Sequence, residues 1–129
     1  MNLFESLGLT DLGFETPTPI QQQAIPYLLN EKTDLVGLAQ TGTGKTAAFG
    51  LPIIHHIDFT KKNAQALIIC PTRELCLQIT RDLSNYSKHC EGANIVAIYG
   101  GASIHMQIRE IKRGVQVIVA TPGRMVDVI

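Results

Sequence analysis

This chain has no net charge, no long apolar run and no cysteine pair at CxxC spacing. Eleven Lys and Arg balance eleven Asp and Glu over 129 residues, which excludes a histone-like polycation. A local basic face still fits inside a neutral total. The longest unbroken aliphatic run is Ala66–Cys70, far short of the roughly 20 residues that cross a bilayer. The N-terminus, MNLFESLGLT, lacks a basic n-region and carries Glu5 early, so it does not read as a secretory signal. Cys70, Cys76 and Cys90 are an odd number. They read as reduced thiols of a cytoplasmic protein rather than a metal or redox set. Apolar residues at 45% and charged residues at 17% describe an ordinary globular chain of one domain's length.

The neutral total hides an asymmetry. Residues 1–60 carry Lys32 and Lys45 against six carboxylates, a balance of −4, and residues 61–129 carry nine basic and five acidic groups, a balance of +4. Solvated helix faces account for such a split, and so does a second half that presents cations to a polyanion. Charge alone does not choose between them.

Four short runs are almost continuously apolar: Leu35–Ala39, Ala66–Cys70, Asn94–Tyr99 and Val115–Ala120. Strands buried on both faces of a parallel sheet have that pattern. Helical spacing lies between them. Leu75, Ile79, Leu83 and Tyr86 form one stripe; Ile104, Ile108 and Ile111 form another, with Ser103 placed as N-cap. An earlier helix is expected from Pro19, capped by Thr18 and ended or kinked by Pro26. Alternating strands and helices predict an α/β fold, a parallel sheet with helices on both faces.

The segment Ala39-Gln40-Thr41-Gly42-Thr43-Gly44-Lys45-Thr46 joins the first of these runs to the apolar helical segment Ala47–Ile57. A phosphate loop requires that context. Gly42 and Gly44 let backbone N–H groups approach phosphate oxygens, and the helix N-terminus adds partial positive charge. Lys45 can reach the β- and γ-phosphates, and the Thr46 hydroxyl can ligate Mg²⁺. The generic pattern opens with Gly; this chain has Ala39 there. A Gly-rich turn with a solvated lysine is the bland alternative, and the strand-before, helix-after context disfavours it.

This form of the loop resembles motif I of the DEAD-box RNA helicases, and four more segments resemble that family's motifs in its order. Residues 13–21, Gly-Phe-Glu-Thr-Pro-Thr-Pro-Ile-Gln, resemble the Q motif. Pro71-Thr72-Arg73-Glu74-Leu75 resembles motif Ia, Gly100-Gly101 the GG motif and Thr121-Pro122-Gly123-Arg124 motif Ib. The resemblance runs from Leu12 to the end of the chain. It implies a three-layer RecA-like P-loop NTPase domain, incomplete over residues 1–129, from an ATP-dependent RNA helicase. ATP and Mg²⁺ would be the cofactors. Phe14, Gln21 and Ala39 to Thr46 would take the nucleotide, with Lys45 and Thr46 in catalytic roles and Thr46 on the metal. Gln21 has an amide able to read an adenine edge; without its neighbours it would read as an exposed helix glutamine. Pro71, Thr72, Arg73, Gly100, Gly101, Thr121, Pro122, Gly123 and Arg124 would hold the RNA backbone without reading sequence. Taken alone, Pro71–Glu74 and Thr121–Arg124 would each read as a turn and a helix start.

Two departures from the family pattern bear on activity. There is no Asp-Glu dipeptide and no Ser-Ala-Thr triplet in the chain. The family's Mg²⁺-holding acid and second RecA-like domain are therefore absent from it, and this chain alone is expected to lack turnover. Phe4 lies only nine positions before Gly13, closer than the family's upstream aromatic, so that role is not carried over to it. The family also places further strands between the phosphate-loop strand and the Ia strand. Their absence is expected to expose sheet edges and favour self-association. Two alternatives share the same residues in part: a non-catalytic RNA- or nucleotide-binding chain, and a different P-loop enzyme, which the Q-motif-like segment argues against.

Overall fold

The computed structural model describes residues 18–30, 34–38 and 45–128. In chain order the elements are α1 (Pro19–Asn30), α2 (Lys45–His56), β1 (Ala66–Ile69), α3 (Arg73–Tyr86), β2 (Ile95–Ile98), α4 (Ile104–Lys112), β3 (Val117–Ala120) and α5 (Pro122–Val128). The three strands are parallel in the order β1-β3-β2, so β3 is central. Ala66 and Ile95 both register with Val117, and Ile69 and Ile98 both with Ala120.

Side chains alternate across the sheet, and each face has its own core. On one face Val117 and Val119 pack with Leu51 and Ile54 of α2, with Cys76, Ile79, Leu83 and Tyr86 of α3, and with Ile25 of α1. On the other, Val96, Ile98, Ile118 and Ala120 pack with Ile111 of α4 and with Met125 and Val128 of α5. Helices thus cover both faces, the expected three-layer α/β arrangement. Every residue of β3 is buried, as its unbroken apolar run demands.

The ends of the helices follow their side-chain chemistry. Thr18 N–H donates to Gln21 Oε1 at 3.0 Å, and Thr18 O accepts from Gln22 N at 2.9 Å, half of a capping box ahead of Pro19. Thr72 and Ser103 cap α3 and α4, accepting from Leu75 N at 3.2 Å and Met106 N at 3.4 Å. Gly50 lets α2 and α3 cross closely, since a Cβ there would lie 2.5 Å from Leu83 Cδ2.

Three expectations are corrected. The run Leu35–Ala39 does not form a buried strand: Leu35–Leu38 join no ladder, with Val36 87% and Leu38 91% exposed, and Ala39 lies outside the described residues. An apolar run makes a strand only beside a partner, and none of the described strands flanks it. Of the end or kink expected at Pro26, the end does not occur: α1 continues to Asn30, whose Nδ2 donates to Pro26 O at 2.9 Å in the last turn. Leu75 lies exposed at the start of α3, and Cys76 takes its place on the buried stripe. The outer edge of β1 has no ladder partner among the described residues, and Leu67 and Ile69 are each 50% exposed.

Burial beneath α3 also sets two proton affinities. The Cys76 thiol is fully buried, donates to Val119 O at 3.1 Å, and is pushed up to about 12, chiefly by desolvation. Tyr86 is raised to about 12 by desolvation and then by the nearby Asp82 carboxylate. Both groups are neutral in the folded protein while the unfolded chain releases its protons earlier. Their contribution to stability is therefore complete below pH about 9 and is lost as pH rises toward 12. We expect the thermal midpoint, followed by circular dichroism, to hold from pH 7 to 8.5 and fall above 9. Cys76→Ala should blunt the first part of that fall.

Candidate nucleic-acid interface

Because the strands are parallel, their carboxyl ends share one rim, where ligands of open α/β sheets bind. β1 runs out through Cys70 into Pro71–Arg73, β2 into Tyr99–Ala102 and β3 into Thr121–Arg124. Two backbone bonds extend the ladders past the strands: Cys70 N to Ala120 O at 3.0 Å and Thr121 N to Ile98 O at 2.9 Å. The turn after the central strand therefore lies between the other two. The three segments that resemble motifs Ia, GG and Ib meet on this rim.

Contacts within it are specific. The Arg73 guanidinium lies 5.1 Å from the Tyr99 ring centroid, within cation–π range. Gly101 has φ +90, and a Cβ there would lie 3.3 Å from Arg73 Nη1. That position favours glycine for its backbone, and a Cβ there would press on the guanidinium beside it. Arg73 is exposed and makes no hydrogen bond or ion pair among the described residues. Pro71, Gly100, Pro122 and Gly123 are exposed, and Thr121 is half-buried. No described side chain fills the space beside Gly100 or Gly123, where an added Cβ would meet nothing within 4 Å.

Arg124 departs from its expected place. It is largely buried at 14% side-chain exposure, and its Nη1 donates to Ala102 O at 2.9 Å and to Gln107 Oε1 at 3.1 Å. Its Nε lies 3.9 Å from Asp127 Oδ2. Protein acceptors therefore take the Nη1 donors expected for phosphate. Thr72 likewise uses its hydroxyl to cap α3, so the turn-and-helix reading of both segments holds alongside the motif reading. Glu74 sits in the first turn of α3.

The nucleotide-side residues are only partly described. Phe14 and Ala39 to Gly44 lie outside the described residues. Lys45 and Thr46 open α2, the first exposed and the second half-buried. A primary ammonium, a hydroxyl and the N–H groups of a helix start suit a phosphate chain with Mg²⁺. Gln21 is not an exposed glutamine; it is 2% exposed, its Oε1 held by Thr18 N–H. Beside it, Thr18 Oγ1 is buried with no hydrogen-bond partner among the described residues.

Sequence reasoning missed Tyr99 and Gln107. Gln107 carried a signal, being the one polar side chain along the half-buried apolar stripe of Ile104, Ile108 and Ile111. Tyr99 carried none, because it closes an apolar run as an ordinary strand residue would.

Comparison with known proteins agrees with this arrangement. The family model of the DEAD/DEAH box helicases matches residues 18–129. The ATP-dependent RNA helicase DeaD of Escherichia coli K12 is 49% identical over 93% of this chain and 19% of its own length. The ATP-dependent RNA helicase CshA of Listeria monocytogenes is 50% identical over 98% of this chain and 26% of its own length. A crystal structure of a DEAD box protein from Methanococcus jannaschii superposes with a TM-score of 0.86 at 38% identity, covering 92% of this chain and 32% of that one. This chain thus spans about a fifth to a quarter of the length of those two relatives. A parallel sheet carrying three matching turns on one rim, a matching family model and relatives at half identity lead to one conclusion: the chain belongs to the DEAD/DEAH box helicase family.

Proposed function

We propose that residues 1–129 are part of the first RecA-like domain of an ATP-dependent RNA helicase, with the Q motif at 13–21. In this reading the carboxyl rim of the sheet holds RNA by its sugar–phosphate backbone, and the first turn of α2 takes the ATP phosphates. The observation that carries it is the meeting of three solvent-facing turns on one rim, with Arg73 laid over Tyr99 and free to meet a phosphate. Pro71, Gly100, Gly101, Thr121, Pro122 and Gly123 offer close backbone approach around it. Such contacts recognise phosphate and 2′-OH rather than base edges.

Lys45 would meet the β- and γ-phosphates, and Thr46 would ligate Mg²⁺, which supplies charge neutralisation when bound. Gln21 and Phe14 would face the adenine, and Ala39 to Gly44 would line the phosphates. In the parent protein, closure of two domains over ATP and RNA would separate short duplexes. Residues 1–129 taken by themselves would bind without turnover, because phosphoryl transfer depends on positioned acids and no Asp-Glu dipeptide lies among them. The free thiols Cys70, Cys76 and Cys90 support a reducing, cytoplasmic setting. The edge of β1, without a ladder partner among the described residues, and the exposed Leu67 and Ile69 support self-association of the isolated chain.

The test is fluorescence anisotropy with a labelled oligouridine across a salt series. Binding should weaken as salt rises, with a log–log slope of about −0.7 for each phosphate contacted on a single strand. Arg73→Gln should flatten that slope by about 0.7 and weaken binding roughly tenfold. Salt-independent binding, or none, would overturn the RNA reading; phosphate release above background would overturn the claim of no turnover.

A further inference from the structure

Gln107 is polar, comes from the middle of α4, and is only 6% exposed. Its carboxamide is used at both ends. Nε2 donates to Tyr99 O at 3.1 Å, and Oε1 accepts from Arg124 Nη1 at 3.1 Å. The same Nη1 donates to Ala102 O at 2.9 Å. Tyr99 and Ala102 are the two shoulders of the turn that contains Gly100 and Gly101. One side-chain pair therefore fastens both shoulders, Gln107 holding the first and Arg124 the second.

The two arginines of the rim are in opposite states. Arg73 is exposed, stacked on Tyr99, and without a hydrogen bond or ion pair among the described residues. Arg124 has both Nη1 protons directed at protein oxygens. Turning Arg124 toward a phosphate would leave Ala102 O and Gln107 Oε1 unpaired in a largely buried place. The Tyr99 carbonyl belongs to the residue whose ring carries Arg73, so what fixes that carbonyl also fixes the platform under Arg73.

We propose that Gln107 and Arg124 are positioning residues that lock the Tyr99–Ala102 turn to the Thr121–Arg124 turn, leaving the phosphate contact to Arg73. The claim rests on the RNA-backbone reading above and divides its labour: a free cation that meets the ligand, and a pair behind it that sets the geometry.

The test uses the 129-residue chain and the same labelled oligouridine. Gln107→Leu and Arg124→Gln should each weaken binding about tenfold with the salt slope unchanged, and the double variant should be no weaker than either single. Arg124→Lys keeps the charge but loses the planar fork, so it should behave as Arg124→Gln does. The proposal is overturned if Arg124→Gln flattens the slope by about 0.7 while Arg124→Lys restores affinity. It is equally overturned if the two single losses add in full.

A second readout needs no RNA. In ¹⁵N spectra of the arginine side chains, Arg124 should show restricted, separately resolved Nη protons in the wild type and averaged ones in Gln107→Leu. Averaged Arg124 signals in the wild type would overturn the proposal. Should Gln107→Leu lose the dispersed strand signals of the fold, Gln107→Glu serves instead: it keeps an acceptor for Arg124 and replaces the donor to Tyr99 by an anionic carboxylate oxygen, so Arg124 should stay restrained while RNA binding weakens. Wild-type protein that fails to bind RNA would overturn the function proposed above, and the spectra would then decide the locking claim alone.

Discussion

Leu83→Ala is expected to lower the free energy of unfolding by about 4 kcal/mol. Leu83 is fully buried in α3, inside the core that α2 and α3 share with β3. The loss combines the transfer of its methyl groups with the cavity they leave. Against a typical domain stability of about 5–15 kcal/mol, that is a large share, and a chemical-denaturation curve should show it as a lower midpoint. The close crossing at Gly50 adds a sharper expectation. In the wild type, Gly50→Ala would drive its new methyl into Leu83 Cδ2, at 2.5 Å. In the Leu83→Ala background that space is open. There the same change fills part of the cavity and gains roughly 1 kcal/mol of helix propensity. The double variant should therefore be more stable than Leu83→Ala alone, with a coupling of about 1–2 kcal/mol. Strict additivity would mean that the two helices do not meet at this point.

Gln116→Leu should cost about 3 kcal/mol, although it replaces a polar residue by an apolar one of similar size. Gln116 is 1% exposed just ahead of β3. Its Oε1 accepts from Asn94 N at 2.9 Å, and its Nε2 donates to Lys61 O at 2.9 Å and Gly92 O at 3.1 Å. One carboxamide thereby joins the loops that lead into β1 and β2 at the amino rim of the sheet. Leucine would leave one donor and two acceptors without partners, and solvent at the loop surface would recover only part of the loss. Gln116→Glu gives the sign of the effect. A carboxylate would face two carbonyl oxygens, so its pKa should rise, and the variant should recover stability as pH falls. A Gln116→Glu protein equally stable at pH 5 and pH 8 in thermal melts would contradict this account.

These two glutamines also show where the sequence was readable. Three of the four apolar runs contain strands, Ser103 caps its helix, Thr18 precedes α1 with its hydroxyl making no cap bond, and the segments resembling motifs Ia, GG and Ib stand at strand ends, because periodicity, caps and turns are largely local properties. Residues 35–38 look like the other runs but pair with no strand among the described residues, and pairing is not local. Gln107 and Gln116 are amides whose worth depends on partners elsewhere in the chain; the stripe around Gln107 hints at its burial, whereas Gln116 looks like a surface residue. Arg124 was read as a phosphate ligand because nothing in Thr-Pro-Gly-Arg tells whether the guanidinium has already found acceptors at Ala102 and Gln107. Arg73, four residues past the end of β1, is expected from its motif to meet a phosphate; its aromatic seat on Tyr99 is not visible in the sequence.

The strand order has a consequence for synthesis. β1 and β2 touch β3 but not each other, and β3 is the last of the three to leave the ribosome. No ladder bond of this sheet can form until Val117 has emerged, by which time four of the five described helices are already outside. Among the described strands, β1 and β2 therefore wait without a ladder partner, and the keystone follows them. Chaperone demand during translation should peak just before residues 117–120 appear.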